Sequence, residues 1–421
     1  MHVLGKQSKI LILTIRKEYS ILGDKQMKKK KDLTLAILLL NIFFVFLGIG
    51  LVIPVLPSIM NELQISGTVV GYLTAAFALT QLIFSPFAGK AVDKYGRKIM
   101  IVIGLFVFSF SEFLFGFGKT VEVLFISRIF GGISGAFIMP AVTAFIADIT
   151  TMKTRPKALG YMSATISTGF IVGPGIGGFL AEIGTRVPFF SAAACGLIVA
   201  FLSMITLHEP KVKLEETSDP SETVGKSGLK KVFMPMFFIA FVVIFISTFG
   251  LAAFDSFFSL YTDHKFGFTP SDIAIAITGG AVIGAIFQVV LFEPLTRLMG
   301  EINIIRWSLL FSTILVFAMT AANSYWTVLA VTFTVFIGFD LIRPAVTTYL
   351  SRIAGNEQGF VGGMNSFFTS LANVFGPILG GILFDINIDY PFYISVIVLI
   401  ICLILTMFWK RPKLESNETV L

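Results

Sequence analysis

The stretch Asn41-Ile-Phe-Phe-Val-Phe-Leu-Gly-Ile-Gly-Leu-Val-Ile-Pro-Val-Leu-Pro57 has no charged side chain and belongs to an apolar run over 33–56. A helix of roughly 20 apolar residues crosses a bilayer core about 30 Å thick, so this run is long enough to span one. Similar runs recur over 70–89, 99–118, 122–149, 158–181 and 187–207. After a polar stretch at 208–231 they resume over 232–258, 271–292, 302–321, 326–350, 361–384 and 391–409. Of 421 residues, 55% are hydrophobic and 14% charged, with a mean hydropathy of +0.88, which no ordinary soluble domain approaches. Lipid offers no partner to unpaired backbone groups, so the spans are helices; a barrel would show short alternating strands. The expected fold is an all-α membrane protein of twelve transmembrane helices.

The net charge of +7 does not point to nucleic acid, because the cations sit in short connections rather than in a patch interleaved with aromatics. Alternate connections differ sharply: one set holds Lys90, Lys94, Arg97, Lys98, Lys153, Arg155, Lys157, Lys211, Lys213, Lys226, Lys230, Lys231, Arg297 and Arg352, the other only Lys119, Arg186 and Lys265. The positive-inside rule then places both termini and the linker in the cytoplasm. The expected division is a cytoplasmic extension over 1–32, a six-helix half over 33–207, a linker over 208–231, a second half over 232–409 and a tail over 410–421. The run Ile10 to Ile15 is too short to span, and Met27, just before Lys28 to Lys31, is a second candidate start. Cys195 and Cys402 lie inside apolar runs, and His2, His208 and His264 show no ligand spacing, so neither a disulfide, a metal site nor a cofactor is expected.

The halves repeat. Pro140-Ala-Val-Thr returns at Pro344 after 204 residues, Gly173-Pro174-x-x-Gly177-Gly178 returns at Gly376 after 203, and Asp93-x-x-Gly96 corresponds loosely to Arg297-x-x-Gly300 after 204. A near-constant offset at separated anchors argues for two pseudo-symmetric halves with a site between them near the bilayer midplane.

Three motifs stand out. In Gly89-Lys-Ala-Val-Asp93-Lys-Tyr-Gly96-Arg97-Lys98, the glycines permit a tight reversal, and Asp93 is expected to accept hydrogen bonds from an Arg or a helix N-terminus of the opposite half, latching one side shut. Arg128-Ile-Phe-Gly131-Gly132-Ile-Ser-Gly135 puts a guanidinium inside the bilayer on a helix open to close approach. Gly160, Gly169, Gly173, Pro174, Gly177 and Gly178 leave one face of span 5 nearly flat, with a kink at the proline. The formal GxGxxG at 173–178 lies mid-span with no preceding strand, which excludes a dinucleotide loop. Four more ionisable residues lie within spans: Glu112, Asp255 in the last turns of span 7, and Asp340 with Arg343, whose spacing of three predicts an internal pair. Each is costly in lipid unless paired or facing a cavity.

Together the three motifs resemble the signatures of the major facilitator superfamily, the span 5 pattern is similar to that of its drug/proton antiporter branch, and the likeness covers about residues 33–412. Asn41 to Pro57 and Ile337-Gly-Phe-Asp340-Leu-Ile-Arg343-Pro344 are similar to segments of the NorA-type quinolone and multidrug efflux pumps of Gram-positive bacteria. The resemblance implies the major facilitator fold in a bacterial plasma membrane, and proton-driven export of small amphipathic drugs such as fluoroquinolones, dyes and quaternary ammonium compounds, by a monomer. It further implies Asp255 and Asp340 as coupling acids, and Phe46, Phe77, Gln81, Phe170, Phe336 and Asn373 as pocket-lining positions. Arg297 stands where the repeat would put Asp93, which weakens the latch argument there. A sugar or metabolite carrier of the same fold would carry more polar side chains in its spans; a membrane sensor or enzyme would need a soluble domain or catalytic motif that the sequence lacks.

Overall fold

A computed structural model describes residues 32–151, 153–210, 235–354 and 358–409; the expected extension up to residue 31, most of the linker and the 410–421 tail lie outside them. Among the described residues twelve helices are long and apolar enough to cross a membrane. In the first half they are α1 Asp32–Leu63, α2 Gly67–Tyr95, α3 Arg97–Phe117, α4 Val121–Ile149, α5 Arg155–Ile183 and α6 Val187–Thr206. In the second they are α7 Pro235–Phe266, α8 Pro270–Met299, α9 Glu301–Thr320, α10 Tyr325–Ala354, α11 Gln358–Ile386 and α12 Tyr390–Met407.

Several helices outrun the apolar runs that mark them. Hydropathy reports the lipid core, whereas the helix continues until a cap or a special backbone angle stops it. Ser66 caps α2 by accepting from Val69 N, and Thr269 and Asp272 form a reciprocal capping box on α8. The α2–α3 turn is made by Gly96 at φ +101° and the α8–α9 turn by its repeat mate Gly300 at φ +76°, angles that a Cβ disfavours. Gly89 plays no part in that reversal: it lies inside α2, because the helix runs on to Tyr95. Within α1, Pro54 tightens Ile53–Val55 into a turn of 3-10 helix.

Each half has the same internal plan. α2 packs on α4, α4 on α3 and α3 on α6; the mates of these pairs are α8 on α10, α10 on α9 and α9 on α12. The halves meet along two diagonals, α2 against α11 and α5 against α8. Glycine permits both. A Cβ on Gly71 would collide with the Pro377 carbonyl, one on Gly381 would lie 2.5 Å from the Gly67 carbonyl, and one on Gly178 would lie 2.7 Å from the Pro270 carbonyl.

All of these contacts lie at the end opposite the basic connections, hereafter the far end. There Val52, Val55, Ile59, Met60, Val70 and Leu73 of the first half are buried in one apolar cluster with the second half's core. Much of the rest of the first half forms a separate cluster around Leu38, Ile101, Val142 and Phe145. Toward the basic end, Gly89, Gly160, Gly362 and Gly363 have no atom within 4 Å of where a Cβ would sit. Among the described residues no hydrogen bond or ion pair joins the halves there. The molecule is closed at the far end and open at the basic end.

Candidate functional site

Between the diagonals, the walls are built by α1 and α5, α2 and α4, and α8 and α10. The α5 glycines serve two faces rather than one. Gly169, Gly173 and Gly177 press on α1, where a Cβ at Gly173 would meet the Leu47 carbonyl at 2.7 Å and Gly50 Cα at 2.8 Å. Gly175 and Gly178 face Thr278 and Ala274 of α8. The approach of α1 and α5 brings Phe46 and Phe170 into edge contact, with ring centroids 5.0 Å apart. Gly131, Gly132 and Gly135 of α4 accommodate Phe77 and Gln81 of α2, whose expected common face is therefore the one turned to α4. In the second half Phe336 lies on Gly280, and Asn373 is exposed. No ring contact among the described residues joins Phe336 to Phe46, Phe77 or Phe170, so these aromatics stand on separate walls.

Four of the five ionisable candidates fall into two groups, and Arg343 stands apart. Arg128 and Glu112 lie between α4 and α3, with Nη2 to Oε1 at 3.6 Å, and the guanidinium stacks 4.1 Å from the Phe115 ring centroid. Reciprocal bonds from Ser111 Oγ to the Ser127 carbonyl and from Ser127 Oγ to the Ser111 carbonyl, both 2.8 Å, hold the helices around them. Glu112 is only 2% exposed, and its Oε2, like Arg128 Nε, is buried without a hydrogen-bond partner. This pair is thus a buried charge site inside the first half.

Asp255 and Asp340 form the second group. Because α7 continues to Phe266, Asp255 lies about three turns from its end, deeper than the apolar run suggested. Its side chain is accessible to solvent. The internal pair expected between Asp340 and Arg343 does not form: the Asp340 carboxylate turns instead to α8, into space left by Gly284, where a Cβ would collide with Oδ2. Arg343 is exposed and has no ion pair among the described residues. A spacing of three sets which helix face two residues share, but the neighbouring helix decided where this carboxylate went. Gly284 escaped the sequence reading because it belongs to no motif and its partner lies on another helix.

Asp93 does not reach the opposite half. Its side chain is 72% exposed and 3.6 Å from Arg97, which bonds more closely to Asp148 through Nε at 2.9 Å. Glu209, unremarked in the sequence, accepts from Arg97 N at 2.5 Å and Lys98 N at 2.9 Å at the start of α3.

Two pseudo-symmetric six-helix bundles, open at one end and closed at the other around intramembrane carboxylates, define a membrane transporter. Residues 38–265 and 240–420 match the Major Facilitator Superfamily, and the chain belongs to that family. It is 67% identical to Multidrug resistance protein 1 of Bacillus subtilis over 91% of this chain and 98% of that protein. Its identity to Quinolone resistance protein NorA of Staphylococcus aureus is 44%, again over 91% and 98%. Among solved structures, a bacterial homologue of the human lysosomal transporter Spinster, inward-facing and unoccupied, superposes with a TM-score of 0.79 at 17% identity, covering 90% of this chain and 96% of that one. The chain is a multi-pass membrane transporter.

Proposed function

We propose that this protein exports amphipathic, often cationic drugs such as fluoroquinolones and dyes across the plasma membrane in exchange for protons. The observation that carries the reading is Asp255 and Asp340, two intramembrane carboxylates with no ion-pair partner among the described residues, in a molecule open at one end only. The charge asymmetry of the connections makes the basic end cytoplasmic, so the state described is inward-open, and Asp93 keeps to its own half because its latch belongs to the opposite state. A cationic drug and a proton compete for the carboxylates: protonation from outside displaces the drug, and deprotonation inside restores the site. Phe46, Phe77, Phe170 and Phe336, with Gln81 and Asn373, supply apolar walls with a few polar points, which suits many drug shapes. Each charge moved across 100 mV contributes about 2.3 kcal/mol, enough for roughly a 50-fold gradient. Arg128, Glu112 and Arg343 are proposed to tune this proton chemistry, and the protein to act as a monomer.

The test is ethidium efflux from cells expressing the chain. Accumulation should fall with expression and return with a protonophore, and Asp340→Asn should bind ethidium yet fail to move it uphill, since Asn keeps the shape and loses the exchangeable proton. Accumulation that ignores both expression and protonophore would remove the proposal. Drug-induced proton release preserved in purified Asp340→Asn would move the coupling role to Asp255.

A further inference from the structure

At the far end each half reaches across with one carboxylate. Asp385, in the last turn of α11, accepts from Gly67 N at 2.6 Å and Thr68 N at 2.8 Å. These are the first two amides of α2, which have no partner within their own helix and carry the positive end of its dipole. The repeat mate of Asp385, 203 residues earlier, is Glu182 in the last turn of α5. It accepts from Ser271 Oγ at 2.5 Å at the start of α8, where Ser271 is the mate of Thr68.

The two contacts are unequal for a covalent reason. Pro270 stands at the mate position of Gly67 and has no N–H to give. Asp272 also already accepts from Thr269 N at 3.0 Å. Glu182 is left with a hydroxyl, while Asp385 holds two amides. Among the described residues the other side-chain bonds between the halves are Asn61 Nδ2 to Asp263 at 3.3 Å and Ser271 Oγ to the Gly178 carbonyl at 3.4 Å at this end, and Thr278 Oγ1 to the Ile171 carbonyl at 3.1 Å deeper along the α5–α8 diagonal; none of them joins a carboxylate to backbone amides.

We infer that Asp385, seconded by Glu182, is the positioning residue that holds the far end shut and sets the balance between the two access states. The inference rests on the two-sided access proposed above but not on what is carried. Close backbone contact between glycines fixes how near the helices come, without favouring one tilt strongly, because polar backbone atoms meet there without hydrogen bonds. The carboxylate-to-amide bonds are directional and charge-assisted, and they exist only while α11 and α2 touch. On opening, water replaces both partners, so the net hold is modest, as a gate that must release in every cycle requires.

The test places nitroxide labels at Lys119→Cys and Asn323→Cys, one on each half at the far end, with Cys195→Ser and Cys402→Ser, and reads their distance distribution in lipid nanodiscs. Asp385→Ala should raise the ratio of open to closed at the far end about tenfold, the equivalent of about 1.4 kcal/mol. Asp385→Asn, whose oxygen still accepts one bond at unchanged size, should raise it less and carries the test if the Ala variant does not fold. Glu182→Gln, which still accepts from Ser271, should move it least. A distribution in folded Asp385→Ala or Asp385→Asn that superposes on the parent, or a larger shift in Glu182→Gln, would overturn the inference. Export failing while the distances respond would instead count only against the proposed cargo.

Discussion

At the basic end, the first half carries Asp93, Arg97 and Asp148, and 204 residues later the second half carries Arg297, Glu301 and Arg352. Every sign is reversed. The helix-to-helix bond survives the exchange: Arg97 joins α3 to Asp148 of α4 at 2.9 Å, and Arg352 of α10 joins Glu301 of α9 through Nη1 at 3.1 Å. Duplication preserved the place of the bond and left its polarity free. The polarity still has a cost, because Glu301 and Arg352 complement their helix dipoles while Arg97 and Asp148 oppose theirs. Glu209 offsets this in the first half by giving the α3 N-terminus the anion that Arg97 cannot. The reversal also separates the loop residues: Asp93 leans on Arg97, whereas Arg297 turns back to Glu293.

The halves differ most where backbones touch. Gly173→Ala should lower stability by about 3 kcal/mol, because its Cβ would meet the Leu47 carbonyl and Gly50 Cα, both backbone. The mate change Gly376→Ala, with its Cβ 3.1 Å from both Ala252 Cβ and the Phe249 carbonyl and so less crowded, should cost about 1 kcal/mol. Equal midpoints of thermal unfolding in detergent would end that asymmetry. Next, Arg97→Glu would set a fourth carboxylate against Asp93, Asp148 and Glu209 and should cost about 2 kcal/mol, less than a fully buried pair because water reaches the site. Adding Asp148→Arg copies the second half's polarity and should restore roughly half of that loss; no restoration in a double-mutant cycle would mean the reversed pair is not interchangeable. Smallest, Glu209→Gln should cost about 1 kcal/mol through the weakened cap, and the matching removal of a cap at α9 has no counterpart to lose, since Glu301 is itself the first residue of that helix.

Much of this was legible before any coordinates. Twelve runs, two halves and a 203–204 residue offset come from hydropathy and three anchors, and the structure places Gly96 and Gly300 in matching turns of positive φ. Asp148, Glu209, Glu182 and Asp385 went unread because each sits at a helix end among solvated residues, where a carboxylate is unremarkable until its partner helix is known. The Asp340 and Arg343 pair was misread for the complementary reason: spacing along one helix carries no information about an opening such as Gly284 on the next.

Helix length has a consequence of its own. α3, α6, α9 and α12 have 21, 20, 20 and 18 residues, hence about 27–32 Å, just matching a bilayer core of about 30 Å. α2, α5, α8 and α11, which carry the diagonals, have 29 or 30, hence about 44 Å, and project into water at any tilt. A thicker or thinner bilayer therefore strains the four short helices and leaves the diagonal ones indifferent. Since the extensive contacts of each short helix among the described residues are with its own half, hydrophobic mismatch acts on each bundle as a body, and membrane thickness becomes a force on the angle between them.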